Sequence, residues 1–374
     1  MDFNLTEEQQ MLRDGAERFV REQYDFETRR ALAKTGGSFN EKNWQQFAEL
    51  GWLALGLPED GGGFGFDFVE VTILMQELGR GLVLEPLVST SVLSARIIDR
   101  SGSDKHRPEL LPQIAEGSLR IALAHSEKGS RFNLGHVNAT VELNSDGYSL
   151  NGVKFMVFDA PLANKLIVSA KIPNKQGFGL FLVDAQAEGV SLTEYGLIDG
   201  TRAADIRFEN VFLASDDLLS DAVTALEVLE EAIDRTIIAQ VAEAIGAMEA
   251  VMDITAEYIK ARKQFGQPLG KFQALQHRMA EMLIHVENAR SMLYRGLAYL
   301  DGDAGARKAA ASSAKAVAAE AAKFVSAQGV QLHGGIGLTD EYSISHYFKK
   351  LTAFEKAFGD IDYHAGRYMA HQSN

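Results

Sequence analysis

Residues 136–158 read HVNATVELNSDGYSLNGVKFMVF, and this stretch decides the fold. Two short apolar runs, Val137–Leu143 and Tyr148–Leu150, are set off by Gly147 and Gly152. That is the rhythm of strands joined by tight turns, not of helices. The texture begins near Arg120 and continues to about Leu213. It includes Ile121–Ala124, Leu166–Ala170, Gly179–Val183, Val190–Thr193 and Ala204–Phe208, with further glycines at 177, 179, 189 and 200. The spacing predicts an all-β sandwich or barrel and excludes repeated βαβ units.

Working outward, both flanks read as helices. Upstream, Thr6 and Gln9 have the spacing of a capping box, followed by an apolar stripe of Leu12, Ala16, Phe19 and Val20. Phe39–Leu55 reads as another helix carrying Trp44, Phe47, Leu50 and Trp52. It breaks at Pro58 and the cluster Gly61-Gly62-Gly63-Phe64-Gly65, and a further helix runs from about Phe68 to Leu78, ending at Gly79. Downstream of Asp217 the strand signals stop. Ile237, Val241, Ala244, Ile245, Met248, Val251 and Met252 fall at helical spacing, as do Phe272, Leu275, Met279, Met282, Val286 and Ala289. The Ala-rich stretch 304–328 adds a helix by propensity alone. The expected fold is α+β and multidomain: an N-terminal helical domain over 1–117, a central β-barrel or sandwich domain over 118–217, and a C-terminal helical bundle over 218–374.

Composition narrows the chemistry. The 374 residues include no cysteine, which excludes disulfides, a thiol nucleophile, Cys-ligated zinc and iron–sulfur clusters. Lys and Arg total 37 against 51 Asp and Glu, a formal charge of −14. Nucleic acid and anionic membranes are therefore poor partners, and an anionic ligand must be held by local Arg, Lys or backbone N–H groups. The N-terminal MDFNLTEEQQMLRDGAERFV is acidic and amphipathic without an apolar signal core, and no apolar run approaches the roughly 20 residues that span a bilayer. A cytoplasmic protein is expected.

Three constellations could carry chemistry. The 61–65 glycine cluster lacks the Gly-Lys-Ser/Thr of a phosphate loop and reads as a tight interhelical turn. Arg262-Lys263-Gln264-Phe265-Gly266-Gln267-Pro268-Leu269-Gly270 lies between two helices and offers two cations, an aromatic plane and backbone donors near a helix start. These parts suit a pyrophosphate or dinucleotide, and equally a helix-capping turn. Gln331-Leu332-His333-Gly334-Gly335-Ile336-Gly337 follows the Ala-rich helix, where glycines permit close approach of a ligand or end the helix. His333 reads as a structural histidine, and no histidine pair has metal spacing.

Together these residues resemble the acyl-CoA dehydrogenase family of flavoproteins along the whole chain. Phe3–Gln10 is similar to the family's first helix, and Pro58-Glu59 through Gly65 with Glu77-Leu78-Gly79-Arg80-Gly81 to its second signature. Asn151-Gly152-x-Lys154 and Asp205–Val211 fall where its β-domain carries equivalents. Arg262-x-Gln264-Phe265-Gly266 with Pro268-Leu269 and Phe272-Gln273 is the most specific match; Gln331–Gly337 with Thr339 and Glu341 is the second. The resemblance implies a helical domain, a β-domain and a C-terminal four-helix bundle. It implies FAD between the β-domain and the bundle, with Arg262, Phe265, Phe272 and Gln273 serving a partner subunit's flavin. Gln331 and Gly335 would approach the adenosine diphosphate half across an interface. The implied reaction is α,β-dehydrogenation of an acyl-CoA thioester in a dimer or tetramer, with an electron-transfer flavoprotein as electron acceptor.

The departures from the family pattern are specific. Where many members place the catalytic Glu before a Gly, this chain has Phe358-Gly359; its backbone N–H at 358 can still polarise a thioester carbonyl. Other members carry the base as Glu-Arg on the helix before the Arg-x-Gln-Phe-Gly motif, and the matching pair here is Asp234-Arg235. Asp234 is thereby the expected base and Arg235 a substrate-side residue, with a surface acid paired to Arg235 as the bland reading. Aspartate is one methylene short, a deficit of roughly 1.5 Å against a transfer distance of ~3 Å. Asp360 and Asp362 are fallback carboxylates. The usual Thr-Glu-Pro and Gly-Ser-Asp become His125-Ser126-Glu127-Lys128-Gly129-Ser130-Arg131, and Trp-Ile-Thr becomes Met156-Val157-Phe158. Ser126, Met156 and Phe158 are the expected flavin contacts there. This combination resembles a bacterial branch acting on steroid side-chain and pimeloyl-type thioesters, often as two different subunits. It leaves two rivals: a non-catalytic subunit completing a paralogue's FAD site, and a flavin oxidase on the same scaffold.

Overall fold

The computed structural model describes residues 4–34, 39–101 and 104–372. Phe3, where the first family match begins, lies outside them. The chain forms two compact units. Residues within Met1–Ala31, Val69–Val83 and Ile237–Asn374 make the first, and Leu32–Phe68 with Leu84–Thr236 the second.

Helices open the chain: α1 (Glu7–Gln23), α2 (Phe26–Lys34), α3 (Glu41–Glu49), α4 (Phe68–Gly81), α5 (Ala95–Arg100) and α6 (His106–Ala115). The capping box at the head of α1 is formed, with Gln9 N–H donating to Thr6 Oγ1 at 3.2 Å and Thr6 N–H to Gln9 Oε1 at 3.1 Å. The helix expected over Phe39–Leu55 ends early. Gly51 takes a left-handed φ of 73°, and only one turn of 3-10 helix, Trp52–Ala54, follows. The backbone thereby turns while Trp44, Phe47 and Trp52 all stay buried. A π-helical segment, Val88–Ser94, precedes α5; its polar Ser and Thr positions gave no periodic signal.

The second unit holds eight strands in two sheets. In one, β1 (Ile121–Ala124), β4 (Lys165–Ala170), β5 (Gly179–Asp184) and β8 (Leu218–Ser220) run in the order β1-β4-β5-β8, with β1 parallel to β4. In the other, β2 (Thr140–Asn144), β3 (Gly147–Phe158), β6 (Val190–Gly196) and β7 (Arg202–Ala214) run antiparallel as β2-β3-β7-β6. Val141, Leu150, Leu166, Val168, Phe181, Ile206 and Phe208 fill the space between them, as a sandwich requires. Gly152 is not a turn, as the sequence alone implied. It sits inside β3, where a Cβ would stand 2.5 Å from that of Ala139.

The first unit is helical apart from a two-strand hairpin, β9 (Lys263–Gln264) and β10 (Gln267–Pro268). The long α7 (Ala225–Ala261) is followed by α8 (Gln273–Tyr299), α9 (Ala304–His333), α10 (Ser343–Lys356) and α11 (Ile361–His371). Helices α8, α10 and α11 all pack on α9, whose buried face is built from alanines such as Ala310, Ala314, Ala318 and Ala322. Small residues set how close these helices come. A methyl on Gly79 of α4 would strike the Glu243 carbonyl of α7, and one on Gly246 would strike the Gln76 carbonyl of α4. No helix of the described residues is long and apolar enough to cross a membrane.

Candidate functional site

In the first unit, the Arg262 segment folds as a hairpin whose two tip residues, Phe265 and Gly266, have φ of 53° and 80°. Positive φ at both central residues is the geometry of a two-residue turn of the mirror-image type. The turn pushes Phe265 out of the protein, leaving it 90% exposed, with its ring edge-on to Phe272 at 6.1 Å. An apolar side chain held so far into solvent has no stabilising role within its own chain. Arg262 caps the hairpin through its backbone: its N–H donates to Tyr258 O and its carbonyl accepts from Leu269 N–H, both at 2.8 Å. Its guanidinium has no intramolecular partner among the described residues. Phe272 is the N-cap of α8 and contributes no side-chain cap; its carbonyl accepts from Leu275 N–H at 3.0 Å, and Gln273 beside it is exposed.

The Gln331 segment reaches the same end of the unit. Tyr258, one turn before Arg262, stacks on His333 with centroids 4.3 Å apart and donates from its hydroxyl to His333 O at 3.3 Å. His333 is buried, its Nδ1 lies 2.8 Å from Gly329 O, and burial pushes its pKa down. It is a packed structural residue, as expected. Gln331 and Gly335 are exposed beside it, and Gly334 ends α9 at φ 64°. Open space surrounds the positions a Cβ would take at Gly266, Gly334 and Gly335. A guanidinium and a carboxamide without internal partners, an uncapped helix start and unhindered glycine backbone are the donors a diphosphate needs. The residues fit the dinucleotide that the resemblance implies.

In the second unit, Ser126 and Met156 come together. The Phe155 N–H donates to Ser126 O at 2.8 Å. A bulge between Lys154 and Val157 interrupts β3, and Met156 at its apex has φ 50°, is 50% exposed, and donates its N–H to Asp205 Oδ1 at 3.0 Å. Val157 points into the core while Phe155 and Phe158 stay partly exposed, giving an apolar ledge that suits the face of an aromatic ring. The sequence reading missed what supports the ledge. Fully buried Lys154 donates to Glu127 Oε1 at 2.7 Å, Ser169 Oγ at 2.9 Å and His125 O at 3.3 Å. Burial pushes Lys154 down to about 8 against the pull of Glu127. Burial, then the Lys154 charge, drives His125 to about 3, so it is neutral. Glu127 stays below its ordinary range: burial opposes ionisation, but the Ala139 and Asn138 N–H groups and Lys154 outweigh it.

Asp234 and Arg235 lie in one turn of α7. Asp234 has no exposed surface, which corrects the alternative of a surface acid. Arg235 is also buried. Its Nε donates to Glu231 Oε1 at 2.7 Å, and its guanidinium lies 5.5 Å from the Phe68 ring centre. Glu231 in turn takes Arg96 of α5 at 2.8–3.1 Å. Burial works against its charge, but the two guanidiniums hold Glu231 below its ordinary range. This segment of α7 is therefore pinned.

Phe358 stands between α10 and α11 at φ 54°, followed by Gly359 at φ 126°. The fallback carboxylate Asp360 is committed to the N-cap of α11, accepting from Tyr363 N–H at 3.0 Å.

Three family models match the chain: the acyl-CoA dehydrogenase N-terminal domain over residues 6–118, its middle domain over 122–211 and its C-terminal domain over 226–371. A 3-(aryl)acrylate reductase of Clostridium sporogenes is 30% identical over 358 residues, covering 92% of this chain and 93% of that protein. The caffeyl-CoA reductase-Etf complex subunit CarC of Acetobacterium woodii is 28% identical, with 94% of each chain covered. Among solved structures, the steroid ACAD Tcur3481-Tcur3483 superposes with a TM-score of 0.88 at 32% identity, covering 98% of each chain.

Proposed function

The chain belongs to the acyl-CoA dehydrogenase family, and from that premise we propose a FAD-dependent acyl-CoA dehydrogenase in which Asp234 takes the α-proton. The observation that carries the base assignment is the place of Asp234 beside Arg235 on the turn of α7 that Glu231 pins, in a chain whose other family position for the base holds Phe358. A carboxylate can take a proton, and no thiol competes for the role. Arg235, fixed by Glu231, orients that turn. The Phe358 N–H donates to the thioester carbonyl and stabilises the enolate charge that develops as the proton leaves. Arg262, Gln273, Gln331 and Gly335 hold the diphosphate of FAD, while Phe265 and Phe272 flank it. Ser126, Met156 and Phe158 line the ring. When bound, FAD supplies the two-electron acceptor for the hydride that leaves the β-carbon.

Outward-facing Arg262 and Phe265 support an oligomer in which one subunit completes another's site, and the likeness to an Etf-complex subunit supports an electron-transfer flavoprotein as acceptor. The likeness to a steroid ACAD supports a bulky acyl group. Domain limits of 1–117, 118–217 and 218–374, and a cytoplasmic location, belong to the same proposal; limited proteolysis and cell fractionation test them. One observation favours a second reading: Phe358 at the common base position suits a subunit that only completes a paralogue's flavin site. Oxygen-free addition of acyl-CoA to the purified chain, alone and with a paralogue, separates the two. Bleaching of flavin in the lone chain, lost in Asp234→Ala with FAD retained, supports the dehydrogenase; bleaching only with the paralogue supports the second reading. Hydrogen peroxide formed at the rate of turnover in air would reassign the protein as an oxidase.

A further inference from the structure

Lys315 lies on the alanine face of α9 with no exposed surface. No carboxylate oxygen of the described residues is within ion-pair distance of its Nζ. Its polar contacts are backbone: Nζ donates to Phe354 O, and more weakly to Glu355 O at 3.5 Å, while the ammonium sits 4.0 Å from the Phe354 ring centre. Those carbonyls belong to the last turn of α10, where intrahelical donors run out. Lys315 thus caps α10 from a neighbouring helix, its charge at the negative end of the helix dipole. Packing alone does not select a lysine at such a place. A methionine of similar length would fill the space without desolvating an amine, and burial already pulls Lys315 down to about 7 against the opposing charges of Glu355 and Asp360.

What α10 leads into explains the choice. Three residues on, Phe358 is held in the left-handed region, and its carbonyl accepts from His364 Nε2 of α11 at 3.1 Å. His364 is fully buried. Burial first, then the charges of Lys315 and Arg367, drive its pKa to about 3, so the ring stays neutral. Gly359 must be glycine, because a Cβ would strike His364 and Tyr363. The 357–359 turn is therefore held directly by buried His364 of α11, and the end of α10 that leads into it by buried Lys315 of α9. We propose that Lys315 is a positioning residue for the acyl-CoA reaction: acting through the α10 terminus, and with His364 opposite, it fixes the 357–359 turn whose backbone amide meets the thioester. This rests on the reading of Phe358 given under Proposed function.

The test uses the FAD-loaded protein and para-dimethylaminocinnamoyl-CoA, a chromophoric thioester whose absorption moves to longer wavelength as its carbonyl is polarised. It is read beside backbone hydrogen exchange, which needs no turnover. Lys315→Met is expected to bind the probe with at most half the wild-type red shift. The Phe358 and Gly359 amides should exchange about tenfold faster while those of central α9 keep their protection. Lys315→Arg, which keeps a cation and donors, should recover part of both. If Lys315→Met does not fold, Lys315→Arg against Lys315→Gln decides by the same readouts. A wild-type shift and wild-type exchange in Lys315→Met overturn the assignment of Lys315 alone. A wild-type protein that binds the probe with no shift overturns the reading of Phe358 as the thioester donor, and the role of Lys315 with it.

Discussion

On the proposed reading, Asp234 is the one carboxylate that takes the α-proton. Its replacement by asparagine keeps the shape and removes the proton acceptor. Stopped-flow reduction of the flavin by acyl-CoA should therefore slow by roughly 10²–10⁴-fold with FAD content unchanged. Asp234→Glu adds the missing methylene and should retain measurable reduction; equal rates in Asp234→Asn and wild type would remove Asp234 from the mechanism. Phe265 tests the cofactor site. Its 90% exposure has no internal purpose, so Phe265→Ala should leave the melting temperature within a degree or so and lower FAD retention on gel filtration. At this scale the sequence was partly legible. Arg262, Gln331 and the glycines around them stood out because exposed cations, amides and clustered glycines between helices break the rules of packing. Lys315 and His364 did not, and Lys154 stood out only within the Asn151-Gly152-x-Lys154 match, because a buried polar residue looks like any other until its neighbours are known. In hindsight Lys315 had one signal: the lone cation within ASSAKAVAAEAA (residues 311–322), where the helix is otherwise mostly alanine.

At the level of elements, the contact of α4 with α7 depends on two glycines and one awkward acid. Gly79→Ala forces a methyl against the Glu243 carbonyl and should destabilise by about 2 kcal/mol or more, read by chemical denaturation. Glu77, on the same helix, is 8% exposed and touches Arg80 only at 3.9 Å. Burial raises its pKa from 4.5 to about 7, with Arg80 opposing and Glu249 reinforcing. Between those values the unfolded chain gives up the proton while the folded one keeps it, so folding stability falls as pH rises from about 4.5 to 7. Glu77→Gln escapes this loss. The melting-temperature difference, variant minus wild type, should grow across that window and level off above it; a constant difference would show that Glu77 titrates normally. Element type was legible wherever periodicity was strong, as in α1, α7 and α8, and from alanine propensity in α9. Extents were less so. Gly152 looked like a turn because a glycine forced by close packing and one forced by backbone torsion are the same letter. The helix over Phe39–Leu55 was overextended because Gly51 turns the chain without interrupting its apolar pattern.

For the whole molecule, the order helices, sandwich, helices followed from texture alone, and the family followed from the Arg262 and Gln331 motifs on that order. The proposed base, Asp234, was named only through the resemblance, and its setting did not follow from the pattern. That depends on burial and on what pins the backbone, neither of which a linear pattern records. The account makes the chain an enzyme by itself, with the base on α7 in place of the position now held by Phe358. The direct measurement is oxygen-free titration of the purified, FAD-loaded chain, without any paralogue, with a series of acyl-CoAs including bulky ones. Flavin absorbance and enoyl-CoA are followed together. The account predicts that at least one thioester bleaches the flavin and yields one enoyl-CoA per FAD reduced. A flavin that stays oxidised with every thioester, yet bleaches once a paralogous subunit is added, would contradict it.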